Sequence, residues 1–131
     1  MAMSVPPDFK LIPVVGPFVR KAGSFWLRED NDGGFTVGTL IAEDQSNLDG
    51  FAHGGFLLTF ADFAITFTTR SITINLSADF MRAGRIGDWI EARINVRKRS
   101  RSLLFADAII TSGGDDLMRV SGIFRPVDKD D

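Results

Sequence analysis

The chain contains no cysteine and one histidine in 131 residues. Without cysteine there is no disulfide, no thiol nucleophile and no zinc–thiolate centre. A single histidine rules out a multi-histidine metal site within one chain. Long apolar runs are also missing. The longest, residues 56–67, is too short to span a bilayer and is broken by Asp62. The N-terminal run Leu11-Ile12-Pro13-Val14-Val15 is too short for a signal peptide and is broken by proline. A surplus of charge of one sign is absent too. Fifteen Lys and Arg stand against 17 Asp and Glu, for a net charge of −2. Neither nucleic acid nor a membrane surface is therefore implied as a partner. The His-Glu-x-x-His, Gly-x-Ser-x-Gly and Gly-Lys-Ser/Thr signatures do not occur. With 44% hydrophobic and 24% charged residues, the chain reads as one soluble globular domain with a substantial core, expected in the cytoplasm. Residues 1–24, rich in Pro, Gly and small residues, read as an irregular or partly helical lead-in to a single domain at 25–131.

Residues 25–30 and 35–42 have strand character and flank a turn, Asn31-Asp32-Gly33-Gly34. A polar loop at 43–52 leads to His53-Gly54-Gly55. The following run to about Thr68 is apolar on every side, the pattern of a helix buried on every side. After Arg70 the period becomes two. Ile72, Ile74, Leu76, Ala78 and Phe80 alternate with Thr73, Asn75, Ser77 and Asp79, which puts Thr73 on the polar face of a half-buried strand. Strands at 90–97, 103–111 and 117–124 follow. Short turns between them predict an antiparallel meander of four strands. One all-apolar helix needs a wrapper, and the strands supply it. The expected fold is α+β, a curved antiparallel sheet of about six strands around one long central helix.

Several residues carry chemical potential. Gly54 and Gly55 stand at a helix start, where unpaired N–H groups and the positive dipole end can hold an oxyanion. They also suit a plain tight turn. His53 is placed to donate to a carbonyl or to cap the helix. Asp62 is the lone acid among Leu58, Ala61, Ile65 and Thr66. Such an acid is costly unless paired, and suits a general base or nucleophile. A structural acid bonded to a hydroxyl is the alternative. Asn47 fits an Asx turn or a carbonyl contact. Thr73 fits a water-orienting hydroxyl or a surface residue. The only basic cluster is Arg97-Lys98-Arg99-Ser100-Arg101. It fits a phosphate clamp or a solvated turn. Nine helical residues span roughly 13 Å, so His53 and Asp62 of one chain cannot meet at one carbon. If both act, two subunits must supply them across a two-fold axis.

Asn47-x-x-Gly50-x-x-His53-Gly54-Gly55 followed by Asp62, with Leu76-x-x-x-Phe80-x-Arg82 and Gly87-Asp88 beyond, resembles the hotdog-fold acyl-CoA thioesterases of the phenylacetate-pathway (PaaI-like) type. The resemblance covers roughly residues 35–125. It implies hydrolysis of an acyl-CoA thioester to a free acid and coenzyme A, with no metal and no cofactor. Asp62 would be general base or nucleophile, and the Gly55 N–H would polarise the carbonyl. His53 and Asn47 would assist, and Thr73 would help hold water. Arg99, Ser100 and Arg101 would contact the nucleotide end of coenzyme A, and Gly54 and Phe51 would line the substrate site. Homodimers that pair into homotetramers are implied. The phenylalanines near the site favour a medium-chain or aryl acyl group, although core packing explains them as well. A non-catalytic acyl-CoA binding module and a hotdog enoyl-CoA hydratase are the rival readings.

Overall fold

The structure, a computed structural model, describes residues 4–127. The first three residues of the expected lead-in and the last four of the expected domain lie outside the described residues. The elements are β1 (Lys10–Leu11), α1 (Pro17–Ala22), β2 (Trp26–Glu29), β3 (Phe35–Leu40), a 3-10 turn at Glu43–Gln45, α2 (Gly54–Thr69), β4 (Ser71–Phe80), β5 (Trp89–Arg99), β6 (Leu104–Ser112) and β7 (Asp115–Pro126). All seven strands form one sheet in the order β1-β2-β3-β5-β6-β7-β4, with every pairing antiparallel.

The sheet curls around α2, which touches β3 to β7 and also α1. Phe56, Leu57, Phe60, Ala61, Phe63, Ala64 and Ile65 are buried from several directions at once, as an all-round apolar helix requires. Burying each large side chain of this kind contributes about 1.5–3 kcal/mol. Phe25, fully buried, lies against Phe56, Phe60 and Phe63, with ring centroids 6.3, 6.0 and 5.2 Å away. In β3 the backbone passes so close to Trp89 that a Cβ on Gly38 would sit 2.0 Å from its ring. Only glycine fits there. The β2–β3 turn is clasped by Asp32, which accepts the Gly34 N–H and pairs with Arg93. The Gly34 N–H and Arg93 hold the Asp32 carboxyl below its usual range.

Two expectations change. The stretch expected to be irregular or partly helical contains a helix, α1, and also a strand, β1. Lys10 pairs with Leu27, and Phe9 and Ile12 are buried, so this segment extends the sheet to seven strands. The expected four-strand meander is three, β5-β6-β7, because β4 lies at the far edge beside β7. The stretch 81–88 is not a hairpin turn. Its backbone is captured by neighbouring loops: Ala52 N–H donates to Gly84 O, Gly87 N–H to Ile41 O, and Ile41 N–H to Asp88 O. These bonds carry the chain past the start of α2 to a place beside β3.

Candidate active site

The approach to α2 is held from below by Gln45, a buried polar residue that the motif reading passed over. Its amide donates to Ala22 O at 2.8 Å and its carbonyl accepts the Ala42 N–H at 2.7 Å. Its backbone carbonyl accepts the His53 N–H at 2.7 Å. Asn47 organises the exposed loop above. Its Oδ1 accepts the N–H groups of Asp49 and Phe51, both at 3.0 Å. Asn47 is therefore an Asx-turn residue whose side-chain oxygen is occupied, leaving its NH2 as a donor.

His53 caps α2. Its Nδ1 accepts the Gly55 N–H at 2.8 Å, and its carbonyl accepts the Leu57 N–H at 3.0 Å. An accepting Nδ1 in a neutral ring places the proton on Nε2, a donor on an exposed side chain. The Gly55 amide, expected as the carbonyl-polarising donor, is thus held by His53. The first-turn amides of Gly54 and Phe56 have no partner among the described residues.

Asp62 sits half-buried in the middle of α2. Its Oδ1 accepts a short hydrogen bond from the Thr73 hydroxyl, while Oδ2 has no partner among the described residues. The period-two reading of β4 put Thr73 on the outer face, and the structure corrects this. A β-bulge lies between Thr73 and Asn75: Thr73 pairs with Phe124 and Asn75 with Ile123, leaving Ile74 extra. The extra residue switches the strand's inner face. Ser71 and Thr73 point inward before the bulge, and Leu76 and Ala78 point inward after it. Ile72 and Ile74 are turned outward and are 50% and 57% exposed. Gly122 on β7 permits the detour, since a Cβ there would lie 2.6 Å from Asn75 O and 2.7 Å from the Phe124 ring.

The structure therefore gathers the candidate residues into two separate groups. One is His53, Gly54 and Gly55 with Asn47 beside them. The other is Asp62 with Thr73. They stand nine residues apart along α2, roughly 13 Å. Phe51 packs under Arg85, whose guanidinium lies 5.6 Å from its ring centroid. Phe56, Phe60 and Phe63 belong to the core. Of the basic turn, Arg99 donates to Thr69 O at the end of α2 (3.3 Å). Ser100 closes the β5–β6 turn against Leu103, and Arg101 is exposed. Among the described residues, no group of three His, Asp or Glu side chains is placed to hold a metal ion.

Comparison with known proteins bears on the family and the fold. Residues 49–119, a little over half the chain, match the family model described as the thioesterase superfamily. PA0474 of Pseudomonas aeruginosa, named as a putative esterase, is 33% identical over 131 residues, covering 94% of this chain and 98% of its own. The fold recurs in a mutant of the phenylacetic acid degradation protein PaaI of Thermus thermophilus, with a TM-score of 0.76 at 24% identity over 86% of this chain and all of that one. It recurs in a hypothetical thioesterase of Streptococcus pneumoniae solved with coenzyme A, with a TM-score of 0.72 at 21% identity over 77% of this chain and 86% of that one. The helix that presents Gly54, Gly55 and Asp62 lies wholly inside the matched stretch, and the chain belongs to the thioesterase superfamily, as a thioester hydrolase.

Proposed function

We propose that the protein hydrolyses an acyl-CoA thioester, with Asp62 acting through Oδ2 and the start of α2 holding the carbonyl oxygen. The observation that carries this reading is the asymmetric fixation of Asp62. Thr73 ties down one oxygen and the helix surface leaves the other open. A carboxylate oriented in this way suits a general base. Oδ2 takes a proton from water, and the water oxygen bonds to the thioester carbon. The negative charge that develops on the carbonyl oxygen meets the helix N-terminus and the Nε2–H of His53. The carbon–sulfur bond then breaks and the thiolate leaves with the proton held on Asp62. Direct attack by Oδ2 is the variant in which an anhydride forms first and water cleaves it. Exposed His53 has room to swing, which would hand the Gly55 N–H to the substrate.

Two protomers would complete each site. β4 is a ten-residue edge strand with Ile72, Ile74 and Phe80 about half exposed. Proteins seldom leave such an edge unprotected. Its Thr73 end lies beside Asp62, and its Phe80 end lies beside Gly54, at 3.5 Å from a Cβ built there. Antiparallel pairing of two β4 strands about a two-fold axis would set one protomer's Asp62 beside its partner's helix start. Arg99, Ser100 and Arg101, at the far end of α2, would take the phosphates of coenzyme A.

The test is a panel of acyl-CoA esters with thiol release as the signal. Hydrolysis by the wild type and a fall of roughly 100-fold or more in kcat for Asp62→Asn are expected. Unchanged turnover in that variant removes Asp62 from the mechanism.

A further inference from the structure

Beside Asp62 lies an open cleft of about 360 Å³. One wall is α2, with Phe63 and Phe67 stacked at 5.2 Å between centroids. The opposite wall comes from the segment before the sheet: Val15, Phe18 and Val19, on and just ahead of α1. This wall lies outside the stretch matched by the thioesterase family model, which begins at residue 49. Phe18, on the six-residue helix α1 that has no buried residue, is 73% exposed, and Phe67 across from it on α2 is 38% exposed.

The polar residues of the cleft are already engaged. Thr59 donates its hydroxyl to Gly55 O at 3.0 Å, and Thr66 donates to Asp62 O at 2.9 Å. The Ser71 hydroxyl is bonded to that of Thr69 at 2.7 Å. What remains is an apolar trough with one open polar atom, Asp62 Oδ2, at its side. Among the described residues, no lysine or arginine lines it. A second carboxylate bound here would face Asp62 without a counter-ion, an arrangement that burial penalises.

We propose that this cleft is the acyl-chain site. Its outer wall is the α1 segment, with Phe18 as the residue that selects for chain length, and it takes uncharged hydrocarbon acyl groups while rejecting dicarboxylic ones. The proposal rests on the hydrolase reading above and gives it a substrate class. Each methylene covered by Phe18 contributes about fourfold in affinity.

The test compares two non-hydrolysable thioethers, S-octyl-coenzyme A and S-methyl-coenzyme A, by titration calorimetry, and pairs this with kcat/KM on acetyl-, octanoyl- and succinyl-CoA. Wild type is expected to bind the octyl thioether roughly 30-fold or more tightly than the methyl one, and to use succinyl-CoA roughly 50-fold less well than octanoyl-CoA. Phe18→Ala, at an exposed position, should lower the octyl-to-methyl ratio about tenfold. Thr59→Phe, narrowing the cleft from the other wall, should move the preference toward short chains. An unchanged ratio in both variants overturns the proposal, as does a wild type that binds neither thioether or prefers succinyl-CoA. A wild type that shows the ratio and its loss in Phe18→Ala, yet hydrolyses nothing, overturns the hydrolase reading alone.

Discussion

His53 occupies a position where serine, threonine, aspartate or asparagine usually accepts a first-turn amide. Its Nδ1 does that job for Gly55, so the ring both stabilises the helix and presents an Nε2–H to the open side. Two substitutions separate these roles. Asparagine restores a cap acceptor and removes the imidazole donor, whereas alanine removes both. His53→Ala should lose about 1 kcal/mol of stability, and His53→Asn should lose a few tenths at most. Both should lower kcat by roughly tenfold or more if Nε2–H meets the carbonyl. Thermal melts read the first difference and steady-state kinetics the second. Full activity in His53→Asn would leave the histidine as a cap alone. His53 and Asp62 were legible in the sequence because each is anomalous where it stands: the only histidine, and the only acid in a greasy run. Gln45 was not legible. A glutamine in a polar loop is ordinary, and only the fold reveals that its side chain bridges Ala22 and Ala42.

At the scale of elements, β4 shows where periodicity stops informing. The alternation of Ile72 to Phe80 is real, but a bulge adds one residue without any compositional mark and reverses the faces on either side. Thr73 reaches Asp62 only because of that reversal. The same limit hid the position of β4 in the sheet, since nothing in residues 81–88 distinguishes a hairpin from a crossing held by Ile41 and Ala52. The helix itself was read almost to the residue, because burial on all sides needs an unbroken apolar run with a definite start. The bulge makes Gly122, on a strand remote in sequence, a position where only glycine fits beside Asn75. Gly122→Ala would force a Cβ against Asn75 O, a backbone atom with little freedom to retreat. A cost of about 1–3 kcal/mol is expected, seen as a fall of several degrees in Tm. Turnover should fall as well, because the strand must shift near Thr73. Thr73→Val removes the bond itself: kcat should drop about tenfold, with a fall in Tm from the Asp62 oxygen left without its donor. A Gly122→Ala variant with wild-type Tm and kcat would show that the bulge is not held by that contact.

For the molecule as a whole, the separation of the two groups is what the proposed two-fold assembly has to bridge. Roughly 13 Å along one rigid helix cannot be closed by side-chain motion, and the β4 edge offers apolar side chains and unpaired backbone in the same place. A shared site then makes a prediction that a self-contained site cannot imitate. Asp62→Asn removes the acid half. Gly54→Pro removes an open amide of the other half at the first helical position, where proline is accommodated and a Cβ would meet nothing nearer than 3.5 Å. Each homodimer should be nearly inactive. After unfolding and refolding of an equal mixture, half of the dimers carry one variant of each kind. Within such a dimer, one site collects both defects and the other collects neither. About a quarter of wild-type activity should therefore return, and it should rise and fall with the fraction of mixed dimer measured by mass spectrometry. If every site were built from one chain, all sites in the mixture would carry a defect and no activity would return. The level recovered, set against that zero, reports whether the carboxylate of one protomer works on a carbonyl held by its partner.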